Sequence, residues 1–447
     1  MRAESLHVSR VAAWRRGLAT ISVASALSLG VFAQGQAPVF RAGVDLIAID
    51  VQVIDGEGRP IINLRPQDFE VSISGKTRRV ASAEFIESTR LDGSALDGSG
   101  AVARVAAGPT ATNVWPTGGL SGAGRMYVLA FDTDSFSVAE SRDVVAAARG
   151  FIQRLQPADQ VGLYTFPVGP RREPTTDHAA ISKVVDTIVG HLQNTPGDFN
   201  LTPSEIIDIT AEIGRARANN TGRPGGAGTA LTGTEGEVTR RVQIRECGNG
   251  DLSCVSEIQT EAQSLAFYLE GRATSGLNGL RALIQLLDTE PGRKTVVLFS
   301  AGIPTTDRPG GRPEVGDLAK LLGQDAAATN TTIYVVHLDT GPWRQLAAET
   351  RKTDNPPVSR SRDFAVTGRL LSEFSGASGG TLMRVVMGGG EWALDRVLRE
   401  TSSHYLLGVE PDDSDRDGKL RPLSVKVKQK GSTVRSRIWV LVPKRTI

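Results

Sequence analysis

Two aspartates two positions apart, Asp132 and Asp134, close the apolar run Met126-Tyr-Val-Leu-Ala-Phe131. With Ser135 and Ser137 beside them they form a set of hard oxygen donors, the kind that holds Mg2+ or Ca2+ together with water. The competing use of such acids is to cap amides at the start of the next helix. Other motifs carry less. Asp413-Ser-Asp-Arg-Asp-Gly418 reproduces the opening of a calcium loop, but Ser424 stands where the closing acid belongs and no helix flanks it. An acidic turn with glycine at positive φ fits better. Gly376-Ala-Ser378-Gly-Gly380 spells the nucleophile pattern, yet a helix precedes it and a strand follows, the reverse of what that chemistry needs. A glycine turn at a helix C-terminus is the better reading. His178, His191, His337 and His404 have no acid at suggestive spacing, and no glycine loop cradles a phosphate. No catalytic constellation emerges, so the chain reads as a non-enzyme.

The elements that must position the acids are legible. A run apolar on both faces, ending in acids, is a strand from the middle of a parallel sheet, and its C-terminal end is where open α/β sheets place their ligand crevice. Ser137 is placed to cap a following helix, with Val144, Val145, Ala148, Phe151, Ile152 and Leu155 at helical spacing. Strands at Val161–Phe166, Thr295–Phe299, Thr332–Leu338 and Thr381–Val386 alternate with helices at 179–192, 265–287, 316–328, 363–375 and 392–400. That alternation predicts a doubly wound, mostly parallel sheet over 125–403. Segment 194–262 interrupts it. It holds Ile206, Ile209 and Ile213 at helical spacing, then a Gly/Thr-rich run, and is expected to be a structured insertion with a floppy centre. Residues 38–88 and 404–447 alternate apolar with polar side chains and predict β-sandwich segments. Whether they form one sandwich or two stays open. Residues 89–124 read as a flexible linker.

The first 33 residues read as a cleavable signal peptide. Arg2, Arg10, Arg15 and Arg16 precede an apolar stretch, Leu18–Phe32, with small residues ahead of Gln34. That stretch is about 15 residues, against roughly 20 needed to span a bilayer. No later stretch is long enough to be transmembrane. The expected location is therefore secreted or periplasmic. The whole chain has 51 basic and 49 acidic residues, so it gives no electrostatic case for nucleic acid. In an exported protein, Cys247 and Cys254 are expected to form a disulfide.

Several stretches together resemble the von Willebrand factor type A-related secreted proteins abundant in Acidobacteria. They are Asp50-Val-Gln-Val-Ile-Asp-Gly-Glu-Gly-Arg-Pro60 with Pro66-Gln-Asp-Phe-Glu-Val71, Tyr127–Asp134, Pro291–Ser300, and Thr401-Ser-Ser-His-Tyr-Leu-Leu-Gly408 with Asp417-Gly-Lys-Leu-Arg-Pro422. The resemblance implies a sheet carrying a divalent-ion adhesion site at its top, built from Asp-x-Ser-x-Ser, a loop Thr and a final Asp. Asp132 matches the first acid and Thr274 the loop Thr. The chain departs at Asp134 and Phe136, which replace the two serines, and at Ser300, which replaces the last Asp. What the resemblance implies is protein–protein or matrix adhesion, with Asp132, Asp134 and Thr274 as metal donors for Mg2+ or Ca2+ and Ser135, Ser137 and Ser300 on the partner-binding rim. The departures favour a second reading, a metal-independent structural subunit of a cell-envelope complex.

Overall fold

Met126–Asp132 is a strand buried along its whole length, with a parallel neighbour on each side. The computed structural model describes residues 46–87, 124–192, 197–221, 236–248, 251–290, 292–340, 357–386 and 389–444. The leader, residues 89–123 of the linker and the Gly/Thr-rich run from 222 to 235 lie outside the described residues.

The strands are β1 (Ile47–Ile54), β2 (Phe69–Ile73), β3 (Lys76–Arg78), β4 (Val80–Glu87), β5 (Met126–Asp132), β6 (Gln160–Phe166), β7 (Arg171–Thr175), β8 (Lys294–Ser300), β9 (Thr331–Asp339), β10 (Leu382–Val386), β11 (Ser403–Val409), β12 (Leu420–Val427), β13 (Thr433–Ser436) and β14 (Trp439–Leu441). The α-helices are α1 (Ser141–Ile152), α2 (His178–Val185), α3 (Pro203–Thr221), α4 (Glu237–Cys247), α5 (Leu252–Leu286), α6 (Leu318–Ala328), α7 (Pro357–Ala377) and α8 (Glu391–Glu400).

The central sheet has the order β10-β9-β8-β5-β6-β7. Numbered from β5 onward this is 6-5-4-1-2-3, the doubly wound order, with the chain reversing direction across β5 and β8. All its pairs are parallel except β6 with β7. The alternation of β5 explains why its sequence shows no polar stripe. Tyr127, Leu129 and Phe131 enter one core with α1, α2 and α8 residues such as Phe151, Val185 and Leu394. Val128 and Ala130 enter the other, with Leu280, Leu322 and Phe374 from α5, α6 and α7. Each large side chain so buried contributes roughly 1.5–3 kcal/mol. β7 escapes pattern reading because Arg171-Arg-Glu-Pro-Thr175 has no apolar face; it is an antiparallel edge strand.

The two ends of the chain interleave. One antiparallel sheet has the order β13-β1-β11-β4 and another β14-β12-β2-β3, so each mixes strands from both ends. Ile49, Val51, Phe69, Val71, Tyr405, Leu407 and Val440 share one buried cluster. These two sheets flank the six-stranded one.

The insertion is structured where it is described. Ile209 and Ile213 of α3 pack with Val238 and Val242 of α4 and Ile258 and Ala262 of α5 in a cluster of their own. The spacing that placed a helix from Leu265 underestimates α5, which starts at Leu252 and runs 35 residues. Asp251 starts it by accepting from the amides of Ser253 and Cys254. A disulfide joins Cys247, the last residue of α4, to Cys254. None of the described helices is long and apolar enough to cross a membrane.

Candidate functional site

The parallel register aligns a polar row at the C-terminal end of the sheet. Asp132 pairs with Phe166 of β6, and Ser300 with His337 of β9. Ser300 Oγ donates to Asp132 Oδ2 at 2.8 Å and accepts from the Gly302 amide at 3.1 Å. Ser135 Oγ donates to the Asp132 carbonyl at 2.7 Å and accepts from the Ala301 amide at 2.9 Å. The loops after β5 and β8 are thus stitched together by two serine hydroxyls whose protons point at Asp132.

Asp132 is only 5% exposed. Burial pushes its carboxyl up to about 6, against the Ser300 hydroxyl and the Arg272 charge that pull it down, and with the Asp134 charge pushing it further up. Arg272, half-buried on α5, donates from its guanidinium to the Asp134 carbonyl. Its ring neighbour is Tyr268, one helical turn earlier, with the guanidinium carbon 5.7 Å from the ring centre. One turn later comes Gly276. A Cβ there would lie 4.0 Å from Asp132 Oδ1, so the helix backbone itself faces the carboxylate. Gly279 brings α5 closer still, since a Cβ would sit 2.9 Å from the Phe166 side chain.

Thr274 does not sit on a loop. It is half-buried within α5, because the helical run of the insertion continues unbroken into the sheet-packing segment. Ser137 does not cap α1 directly. It forms a reciprocal pair one turn earlier, its amide donating to Glu140 Oε2 at 2.6 Å and its hydroxyl accepting from the Glu140 amide at 3.4 Å. Phe136 is fully buried in the core with Phe131 and Val144. Asp134 is half-buried and gives its main-chain carbonyl to Arg272.

These contacts bear on whether the donor set could hold a divalent ion. Asp132 Oδ2 already faces the Ser300 proton, the Ser135 proton points at the Asp132 carbonyl, and a guanidinium occupies the approach at Asp134. A bound divalent ion needs hydroxyl lone pairs turned inward and no fixed cation beside it. The residues as arranged do not fit one. Among the described residues no cluster of three or more His, Cys, Asp or Glu could hold a metal.

Two other motifs prove structural. Ser378 is fully buried, donating to the Ser375 carbonyl at 2.8 Å and accepting from the Ile333 amide at 2.9 Å. Asp415 is buried against Arg78 at 2.7 Å, Asp412 caps a short 3-10 turn, and Gly418 has φ +76°, so 412–418 is an acidic turn. In the fold one histidine does meet an acid, although none stands at a suggestive spacing in the sequence. His404 Nε2 lies 3.6 Å from Asp50 Oδ1, an encounter between the chain's two ends that no local spacing can signal. His337 is buried against Phe364, its ring centre 4.3 Å away, and among the described residues neither ring nitrogen has a well-aligned partner. Burial holds it down at about 4, moderated by the Ala301 main chain and by Asp339.

Arg272 is the site residue that sequence reasoning missed. Its signal was a cation one turn before two glycines three apart, Arg272-Ala-Thr-Ser-Gly276-Leu-Asn-Gly279, inside a helical run.

No family model matches the chain. No curated protein matches it either. Among solved structures it is similar to an aerotolerance-related membrane protein from Bacteroides fragilis carrying multiple mutations to serine, at 11% identity over 62% of this chain and 98% of that one, with a TM-score of 0.31. It is similar to the conserved hypothetical protein BatB from Bacteroides thetaiotaomicron at 12% identity, over 62% and 98% of the two chains, with a TM-score of 0.28. It is similar to the human COPII-coat protein Sec24c at 10% identity, over 75% and 45%, with a TM-score of 0.27. Superpositions this loose fix neither fold nor role.

Proposed function

We propose that this chain is an exported, non-enzymatic binding protein that grips a protein partner with the C-terminal end of its six-stranded sheet. The carrying observation is the mixture of exposed apolar and fixed polar groups there. Val138 and Val168 are each 66% exposed, and Tyr268 42%. Val168 is tied to this end because its carbonyl accepts from Thr133 Oγ1 at 3.2 Å. Val138 follows Ser137, and Tyr268 lies under Arg272. Apolar side chains around a charged centre on a rigid scaffold are the usual anatomy of a protein-binding hot spot. Export is read from the leader pattern of residues 1–33. A matrix or envelope partner is the class this reading favours.

The test places a photo-crosslinking residue at Val138, Val168 or, as a remote control, Leu286, in protein exposed to envelope extract. The expected result is a discrete adduct from the first two positions and none from the third. Equal adducts from all three, or none at all, would overturn the reading.

A second reading is a structural subunit of a cell-envelope complex. Phe136 and Ser300, which replace metal-site oxygens, favour it. It predicts a complex that copurifies stoichiometrically and survives dilution, where adhesion predicts reversible capture.

A further inference from the structure

The position a divalent ion would hold in the resembled family is approached in this chain by a side chain. Three independent observations converge on it. The helix α5 meets the end of β5 backbone-first at Gly276, which brings Arg272, one turn earlier, level with the loop after Asp132. The guanidinium then donates to the Asp134 carbonyl, within the loop that follows the first acid. The hydroxyls of Ser135 and Ser300 direct their protons at Asp132 and accept amides from the loop after β8, so each is used in joining the two loops.

We infer that the guanidinium of Arg272 is the resident cation of this site, fixing the 132–137 loop against α5 and leaving no place for a divalent ion. An arginine suits that task. Its charge is permanent, and its five N–H donors lie in a planar fork that can hold a carbonyl while stacking on an aromatic ring, here Tyr268. The consequence is a binding face that stands in one state whatever the ionic conditions, and whose grip is insensitive to chelators. This rests on the proposed binding role only for the use of the face. Ion binding and loop protection are measurable without any partner, so their failure is distinguishable from failure of the binding role.

The experiment uses the full chain and MnCl2 alone. Free Mn2+ is read by electron paramagnetic resonance, thermal unfolding is followed with Mg2+, Mn2+ and Ca2+ at millimolar concentration, and amide exchange is measured at residues 133–137. For the unaltered protein the expected result is no bound Mn2+ and no shift in melting with any of the ions. Arg272→Gln is expected to speed exchange at 133–137 on the order of tenfold, the loss of one charge-assisted hydrogen bond, with circular dichroism unchanged. Arg272→Lys keeps the charge without the fork and is expected to recover part of the protection. Stoichiometric Mn2+ binding that Asp132→Asn abolishes would overturn the inference. So would exchange at 133–137 that Arg272→Gln leaves untouched. If Arg272→Gln fails to fold, the lysine variant and the Mn2+ titration still decide.

Discussion

Tyr334 of β9 donates its phenolic hydroxyl to Gln52 Oε1 of β1 at 3.0 Å, in a place neither residue shares with water. This contact belongs to a polar seam between the bottom of the six-stranded sheet and the flanking strands. Tyr127 hydroxyl meets Thr401 Oγ1 at 2.7 Å, Arg437 donates to the Ala327 carbonyl at 2.9 Å, and the fully buried Glu400 faces Arg396 and Arg435. Tyr334→Phe keeps the ring and strands the Gln52 amide, whose Nε2 has no hydrogen-bond partner among the described residues. The expected loss is about 1–3 kcal/mol in urea unfolding. An unchanged midpoint would mean that the seam does not bear on stability.

Acid should loosen the molecule. His404 is pushed below its ordinary value by burial, and His337 is held at about 4 in the same way. Both imidazoles are neutral in the fold and free to charge once unfolded. Their contribution is complete above about 6.5 and is lost as pH falls through the folded value. Asp50, held below the carboxylate range against its burial by His404, Arg437 and Arg293, contributes fully across this window and loses its share only at lower pH, below the ordinary carboxylate value. Asp132 runs the other way, because its raised value gives a contribution that is complete in acid and lost as pH rises through about 6. Two imidazoles outweigh one carboxyl, so a net drop of roughly 2–4 kcal/mol is expected between pH 7 and pH 4.5. Denaturant titrations at the two pH values measure it, and His337→Leu should flatten the slope.

The disulfide closes a short loop at the joint of α4 and α5, and Cys254 is buried in the insertion's own cluster. Loop-closure entropy for that separation gives about 2–3 kcal/mol. Replacing both cysteines by serine is expected to open residues 237–262 to protease while the main melting transition survives. Cleavage that never appears would show that helix packing alone holds the insertion. The native protein should weigh two protons less than its reduced form.

Three residues of the Gly-x-Ser-x-Gly match should behave quite differently. A Cβ on Gly380 would lie 2.0 Å from the Ile333 carbonyl, whereas among the described residues nothing lies within 4 Å of one on Gly376. Gly380→Ala is expected to cost about 2 kcal/mol or more, while Gly376→Ala, inside α7, should be neutral or stabilise by up to about 1 kcal/mol. Ser378→Ala should cost about 1–3 kcal/mol by leaving the Ile333 amide unpaired. Ester turnover that disappears with Ser378→Ala would contradict a purely structural serine.

What could be read from the residues was what periodicity writes locally. β5 was legible because both its faces are apolar, and its acids because they interrupt that pattern at a strand's end. β13 and β7 were not, since short, charged edge strands have no face to display. Neither was the interleaving of the chain ends, because pairings such as Val51 with Tyr405 join residues that only the folded chain brings together. The site was half legible. Asp132 and Ser300 do meet, but only the resemblance puts Thr274 on a loop, whereas the chain itself runs on as helix from Leu252 to Leu286, and Arg272 escapes notice because a lone cation on a helix is ordinarily a solvated one.

Helix α5 serves two masters. Its early turns lie in the stapled bundle and its later turns press on the sheet, within one helix that runs from Leu252 to Leu286. Adding or deleting a single residue between Leu252 and Arg272 would swing one half about 100° around the axis relative to the other. The bundle's seating and the arginine's aim are therefore phase-locked along this rod.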